Sequence, residues 1–161
     1  MYHRTRYAIP RRAARAEGIE RSARRAPVIT PPPSRRAADE PDTLAPDGSE
    51  IRLLVTATRA SLCEVRLAPG AVSRPVSHRS VEEIWYVIAG RGRVWRCPPG
   101  VRAEPIDISA GDALVIPTGW RFQFSAAATS ELRFLCFTAP PWPGADEAVE
   151  EDSGDLGPPT V

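Results

Sequence analysis

The chain has 161 residues, a length that favours one domain with or without tails. Its 21 basic and 20 acidic residues leave a formal net charge of +1, which excludes a bulk electrostatic attraction to nucleic acid or to an anionic membrane. Eighteen prolines argue against a helical bundle, and no apolar run approaches the ~20 residues that a membrane span needs.

The two ends of the chain differ from its centre in composition. Residues 1–40 contain ten arginines and four acidic residues, and residues 144–161 contain six acidic residues and no basic one. Segments so poor in apolar residues bury too little surface to offset the entropy cost of ordering. The sequence therefore predicts a disordered Arg/Pro-rich extension over residues 1–41 and a disordered acidic tail over residues 144–161.

Residues 42–143 have the sequence pattern of an all-β domain. Short apolar runs alternate with turn signals such as Pro46-Asp47-Gly48 and Pro117-Thr118-Gly119, at a spacing typical of a sandwich or barrel. The predicted strands are Ile51–Ala57, Leu62–Leu67, Glu83–Ala89, Arg93–Cys97, Ala113–Ile116, Phe122–Ser125 and Leu132–Thr138.

The run from Glu83 to Ala89 is apolar on both faces except for Glu83. We therefore expect one face to line the barrel interior and the other to pack under a second sheet or subunit. A buried carboxylate is costly unless it has a partner, a proton or a metal ion, which makes Glu83 a candidate site residue.

Two segments resemble the paired motifs of the cupin family. Residues 70–90 read GAVSRPVSHRSVEEIWYVIAG, and residues 111–122 read GDALVIPTGWRF. The positions in register with the cupin motifs are Gly70, His78, Glu83 and Gly90 in the first and Gly111, Pro117 and Gly119 in the second. The chain is thus similar to small single-domain bacterial cupins. The resemblance implies an all-β fold, a single cupin-type β-barrel (a double-stranded β-helix or jelly roll), and also a homodimer.

The chain departs from the cupin motifs at two of the positions that bind the metal. Metal-binding cupins hold one divalent ion with three histidines and a glutamate, but here Val76 and Phe122 occupy the first and last histidine positions. Valine and phenylalanine supply no donor atom, so His78 and Glu83 remain. We predict no resident metal. If Fe, Mn, Ni or Zn binds, we expect the ligands to be His78, Glu83 and Gln123, the last turned inward by a one-residue bulge.

The predicted function is binding of a small molecule of unknown identity beside an incomplete metal site. His78 and Glu83 are then either a polar pair in a ligand pocket, where His78 acts as acid or base, or a buried hydrogen bond in a binding barrel. The alternative is a metal-dependent cupin enzyme of the oxygenase or isomerase type. A third class is an interaction module whose basic arm contacts a partner.

Strand parity predicts which other residues line the pocket. If Glu83 faces inward, so does Trp85, and if Phe122 replaces an inward histidine, so does Phe124. Arg121, near the barrel mouth, is a candidate to receive a substrate carboxylate. The predicted pocket residues are Val76, His78, Glu83, Trp85, Arg121, Phe122, Gln123 and Phe124.

Three well-separated cysteines form no CxxC pair, and no apolar leader precedes them. We interpret Cys63, Cys97 and Cys136 as reduced thiols of a cytoplasmic protein. No membrane partner and no specific nucleic-acid partner is expected.

Overall fold

The computed structural model of the protein describes residues 30–161, and Pro32–Val161 form one compact unit. The predicted extension over residues 1–41 falls mostly on residues 1–29, outside the described residues. The strands are β1 (Thr43–Leu44), β2 (Glu50–Thr56), β3 (Ser61–Leu67), β4 (Val76–His78), β5 (Glu82–Ala89), β6 (Arg91–Cys97), β7 (Ile106–Ser109), β8 (Ala113–Ile116), β9 (Arg121–Ala126), β10 (Leu132–Ala139) and β11 (Ala148–Glu150). A short 3-10 helix spans Ala145–Glu147.

The strands form two antiparallel sheets. The first has the order β1-β2-β3-β10-β5-β8, and the second has the order β11-β4-β9-β6-β7. This arrangement is a jelly roll, so the predicted fold class is confirmed. Within the described residues, no helix has the length and hydropathy that a membrane span requires.

Alternation along β5 shows how the sequence places its side chains. Glu83, Trp85 and Val87 are buried, whereas Ile84 and Tyr86 between them are about half exposed. One face looks into the barrel, as expected. The alternative that a second sheet covers the other face is wrong, because Ile84 and Tyr86 are exposed among residues 30–161, and coverage by a second subunit stays a prediction. The predicted homodimer stays a prediction.

Aromatic side chains from both sheets meet in the barrel interior. Trp85 stacks on Phe134 with ring centroids 4.2 Å apart, and it meets Phe122 and Phe124 edge to face at 5.7 Å and 5.1 Å. All four side chains are nearly inaccessible to solvent. This cluster joins the two sheets, and three of its members, Trp85, Phe122 and Phe134, form one wall of the site described below.

The acidic tail is ordered, contrary to the prediction for residues 144–161. After the 3-10 helix, Ala148–Glu150 pair with Val76–His78 as an added strand. Further on, the Thr160 N–H donates to the carbonyl of Val72, and Val161 packs against the hydrophobic core. Composition failed to predict this order because hydrogen bonds to partners distant in sequence, more than apolar burial, hold the tail.

Gln123 is the main side chain that holds the tail. Its Nε2 donates to the carbonyls of Ser73 (3.0 Å) and Gly157 (2.9 Å), and its Oε1 accepts from the Leu156 N–H at 2.9 Å. The tail passes so close that a Cβ atom on Gly154 would lie 2.2 Å from Oε1. The amide is fully occupied, so the role predicted for Gln123 as an inward-facing ligand is wrong.

We expect Gln123→Ala to lower the free energy of unfolding by about 1–3 kcal/mol, because the three backbone partners lose a buried hydrogen bond. Urea unfolding measures this loss, and hydrogen exchange should quicken at Leu156. If the exchange rate of Leu156 stays at the wild-type value, the amide does not hold the tail.

The segment before β1 also contacts the barrel. Arg52 is almost fully buried and donates to the carbonyls of Ala38 (3.1 Å) and Asp39 (2.9 Å). The predicted disorder of residues 1–41 is therefore wrong for Ala38 and Asp39, because a guanidinium side chain fixes their backbone.

Candidate functional site

The barrel encloses a cavity of about 600 Å³. Its walls are largely aromatic and aliphatic, with Trp85, Phe122 and Phe134 on the barrel side and Trp142 from the segment after β10. The polar side chains that line it include Asp47, Ser49, Ser61, Cys63, His78, Glu83, Cys136 and Thr138. A mostly apolar hollow with a few converging polar groups is typical of small-molecule sites.

Five of the eight predicted pocket residues line this cavity: Val76, His78, Glu83, Trp85 and Phe122. Val76 and His78 are the ends of β4, and Glu83 and Trp85 share the inward face of β5. Val76 lies directly opposite Phe122 of β9 in the strand register. The two cupin motifs therefore meet here, as the resemblance implied.

Three predicted pocket residues do not line the cavity. Phe124 faces inward but lies behind Trp85 and Phe134, in the core. Gln123, on the opposite face of β9, is engaged by the tail. Arg121 lies over the ring of Trp95 at 5.4 Å and donates to the sulfur of Cys97, so it belongs to the outer side of the second sheet and is not placed to receive a ligand in the cavity.

His78 and Glu83 face each other without a hydrogen bond. Nδ1 of His78 lies 3.8 Å from Oε1 of Glu83, and this nitrogen is buried with no hydrogen-bond partner. The other carboxylate oxygen, Oε2, accepts from Nε1 of Trp85 at 2.8 Å. The direct hydrogen bond, one of the alternatives considered for this pair, is therefore absent, and an unsatisfied buried nitrogen is left at the cavity wall.

Burial removes the charge from both side chains at mildly acidic pH. It lowers the pKa of His78 to about 4, against a weaker opposing effect of Glu147. It raises the pKa of Glu83 to about 7, although hydrogen bonds from Trp85 and Cys136 oppose the rise. The imidazole is therefore neutral and the carboxyl largely protonated between these two values.

Aromatic rings hold the imidazole from two sides. The ring of His78 meets Phe122 edge to face at 5.0 Å and Trp142 at 5.2 Å. Glu147 anchors the adjacent turn by accepting from the N–H groups of Ser80 and Val81. Burial alone would raise the pKa of Glu147, but these hydrogen bonds outweigh it and hold the pKa below its usual value.

The donor set does not fit a cupin-type metal centre. Apolar side chains fill two of the four ligand positions, and Phe122 packs its ring against the imidazole that would share the ion. Across residues 30–161, no group of three or more His, Cys, Asp or Glu side chains is arranged to hold a metal ion. Gln123, the expected substitute ligand, is directed to the tail.

Several cavity residues were not found from the sequence. Asp47 is a turn residue in a Pro-Asp-Gly signal, and its buried carboxyl accepts from the N–H and hydroxyl of Ser49. Trp142 follows two prolines in a segment assigned to the domain edge. Parity on the strand Leu132–Thr138 could have placed Cys136 and Thr138 inward beside Phe134, but the side on which Asp47 and Trp142 lie is decided by tertiary contacts.

Comparisons with known proteins agree with this geometry. The sequence model of a family described as "Cupin domain" matches residues 63–138. An uncharacterized protein of Methanocaldococcus jannaschii is 27% identical over 110 residues, which are 65% of this chain and 84% of that protein. Residues 63–138 therefore form a cupin domain.

Solved structures show the same fold at low identity. Oxalate decarboxylase from Bacillus subtilis has a TM-score of 0.63 and 20% identity, over 76% of this cupin and 33% of the decarboxylase chain. KdgF from Halomonas sp. has a TM-score of 0.52 and 22% identity, over 60% and 82% of the two chains. The nucleoside dehydratase Pac13 has a TM-score of 0.57 and 13% identity, over 74% and 92%. The cupin spans a third of the length of oxalate decarboxylase.

Proposed function

We propose that this cupin binds a small, uncharged, largely apolar molecule that carries a hydroxyl or N–H group. The observation that carries the proposal is the buried Nδ1 of His78, which has no partner and lies at the wall of an apolar cavity. In the neutral imidazole that carries its proton on Nε2, Nδ1 accepts a hydrogen bond, so a ligand donor satisfies it. The aromatic walls supply the apolar contact area for the rest of the ligand.

The charges around the cavity argue against an anionic ligand. Burial raises the pKa of Asp47 as well as that of Glu83, which indicates that negative charge is disfavoured here. Among the described residues, the arginine that lines the cavity is Arg35, and its guanidinium pairs with Asp42. The predicted role of Arg121 in binding a carboxylate has no support, since Arg121 lies outside the cavity.

The proposed binding needs no resident metal. Support comes from the two apolar residues at ligand positions and from the poor fit of Gln123, given above. The alternative, a metal-dependent oxygenase or isomerase, retains His78 and Glu83 as donors, and two donors leave most of the coordination sphere to water.

The proposal is tested with a matched pair of probes, 2-naphthol and 2-naphthoate, by isothermal titration calorimetry at pH 6. We expect 2-naphthol to bind at least ten-fold more tightly, because the carboxylate would be buried without a countercharge. His78→Leu should weaken 2-naphthol by about ten-fold, the loss of one hydrogen bond, and leave 2-naphthoate unchanged. Equal or tighter binding of 2-naphthoate would contradict the proposed ligand class.

A further inference from the structure

Two of the three cysteines face each other across adjacent strands. Cys63 of β3 is the register partner of Cys136 of β10, and both are free thiols. Both line the cavity, where Cys63 is half-buried and Cys136 is buried. On its other side, Cys136 is the register partner of Trp85. The two thiols are thus neighbours in the wall of a cavity that is large enough to admit small molecules.

The geometry of the pair suits a covalent bond between the sulfurs. The two side chains share one face of the sheet, because residues directly opposite each other in an antiparallel pair project to the same side. Directly opposite residues of an antiparallel pair have Cα atoms about 4.5–5.5 Å apart, inside the range of about 4.4–6.8 Å that disulfides span. The register of β2 shifts between Leu53 and Val55, beside Cys63, and such a bulge lets the strand adjust.

We propose that Cys63 and Cys136 form an oxidation site, which a small peroxide entering the cavity converts into a cross-strand disulfide. Neither the cupin motifs nor the proposed ligand uses these thiols. The inference relies on the cavity as an entry route and not on the identity of the ligand.

The reaction balances with hydrogen peroxide as the two-electron oxidant. The Cys63 thiolate attacks one peroxide oxygen, the O–O bond breaks, and the hydroxide that leaves takes up a proton as water. Cys63 is then a sulfenic acid. The Cys136 sulfur attacks the Cys63 sulfur, the S–O bond breaks, and the leaving hydroxide takes the Cys136 proton to give a second water. Two sulfurs are oxidised and one peroxide is reduced.

The order of the two steps follows from exposure and chemistry. Cys63 is half-buried at the cavity wall, whereas Cys136 is buried. A peroxide that enters the cavity reaches the more accessible thiol more readily. Cys63, the more accessible of the two, therefore reacts first, and Cys136 reacts second because it is held against the sulfur that it attacks.

Cys97 provides the matched control. It is buried in the second sheet, where Arg121 and not a cysteine is its register partner. Its thiol donates to the carbonyl of Val101 at 2.6 Å. It therefore has no thiol with which to form an intramolecular disulfide at its own position.

The test is treatment of the full chain with a small excess of hydrogen peroxide, followed by denaturation, alkylation and intact-mass measurement. After the mass of the alkyl groups is subtracted, we expect the oxidised chain to be about 2 Da lighter, two hydrogens per disulfide, and a reducing agent should reverse this loss. Of the three thiols, two should escape alkylation. Peptide mapping should recover a cross-link between Cys63 and Cys136. Cys97→Ser should keep the 2 Da loss, and Cys63→Ser should abolish it.

Other products would overturn the proposal. Gains of about 16 or 32 Da on separate cysteines would show sulfenic or sulfinic acids that no second thiol resolves. Disulfide-linked dimers, or three thiols still alkylated after oxidation, would contradict it equally. Since these readouts come from the wild-type chain, they hold even if a cysteine variant does not fold, and they leave the proposed ligand class untouched.

Discussion

Replacement of Trp85 by alanine is expected to lower the free energy of unfolding by about 3–5 kcal/mol. Trp85 is 2% exposed, and its ring contacts the aromatic side chains Phe122, Phe124 and Phe134 from both sheets. Its removal leaves a void in the aromatic cluster that joins the sheets, and it also takes away the donor to Glu83. Chemical denaturation with the wild type alongside measures the loss.

Trp85→Phe separates packing from hydrogen bonding. Phenylalanine keeps an aromatic ring against Phe134 but has no N–H for Glu83, so we expect a smaller loss than with alanine. Trp120→Ala, at a half-buried turn position outside the aromatic cluster, is the matched control and should cost clearly less. If Trp85→Ala cost no more than Trp120→Ala, the indole would not be the centre of the core.

The second large effect is a pH-dependent gain in stability for Glu83→Gln. The pKa of Glu83 rises from its ordinary value of 4.5 to about 7 on folding, so wild-type stability from this group is fully present below pH 4.5 and is lost as the pH rises through 7. Glutamine does not ionise. Between pH 4.5 and pH 7.5, the free energy of unfolding of the variant should therefore rise by about 3 kcal/mol relative to that of the wild type.

His78→Asn should show the opposite slope. The pKa of His78 falls from 6.5 to about 4 on folding, so wild-type stability from this group is present above pH 6.5 and is lost as the pH falls through 4. The free energy of unfolding of the asparagine variant should therefore increase relative to that of the wild type as the pH falls. Unfolding curves from pH 4 to pH 8 check both variants, and parallel pH profiles for the two would contradict the account of an uncharged pair.

The sequence predicted the parts of the fold and site that depend on local pattern. Motif spacing located His78, Glu83 and Phe122, and period-2 alternation correctly put Trp85 and Phe124 inward. The same parity rule shows why Gln123 faces away, since it lies between two inward phenylalanines. Only an assumed bulge turned it inward, and β9 pairs with β6 without one.

The parts that the sequence missed depend on contacts between distant segments. The order of the acidic tail comes from Gln123 and from pairing with β4, which composition does not record. Asp47 and Trp142 reach the cavity from loops, and loop conformation is set by packing. Arg121 was expected in the pocket. It lies on the outward face of β9, however, where its guanidinium stacks on Trp95.

The central claim is that apolar residues have replaced two metal ligands in this cupin and left an uncharged pocket. Its most direct test is the metal content of protein purified without an affinity tag, measured by inductively coupled plasma mass spectrometry. We expect well under one equivalent of Fe, Mn, Ni or Zn, and a rise in the double variant Val76→His, Phe122→His, which restores four donors around one point. One equivalent in the wild type, lost in both His78→Ala and Glu83→Ala, would contradict the claim.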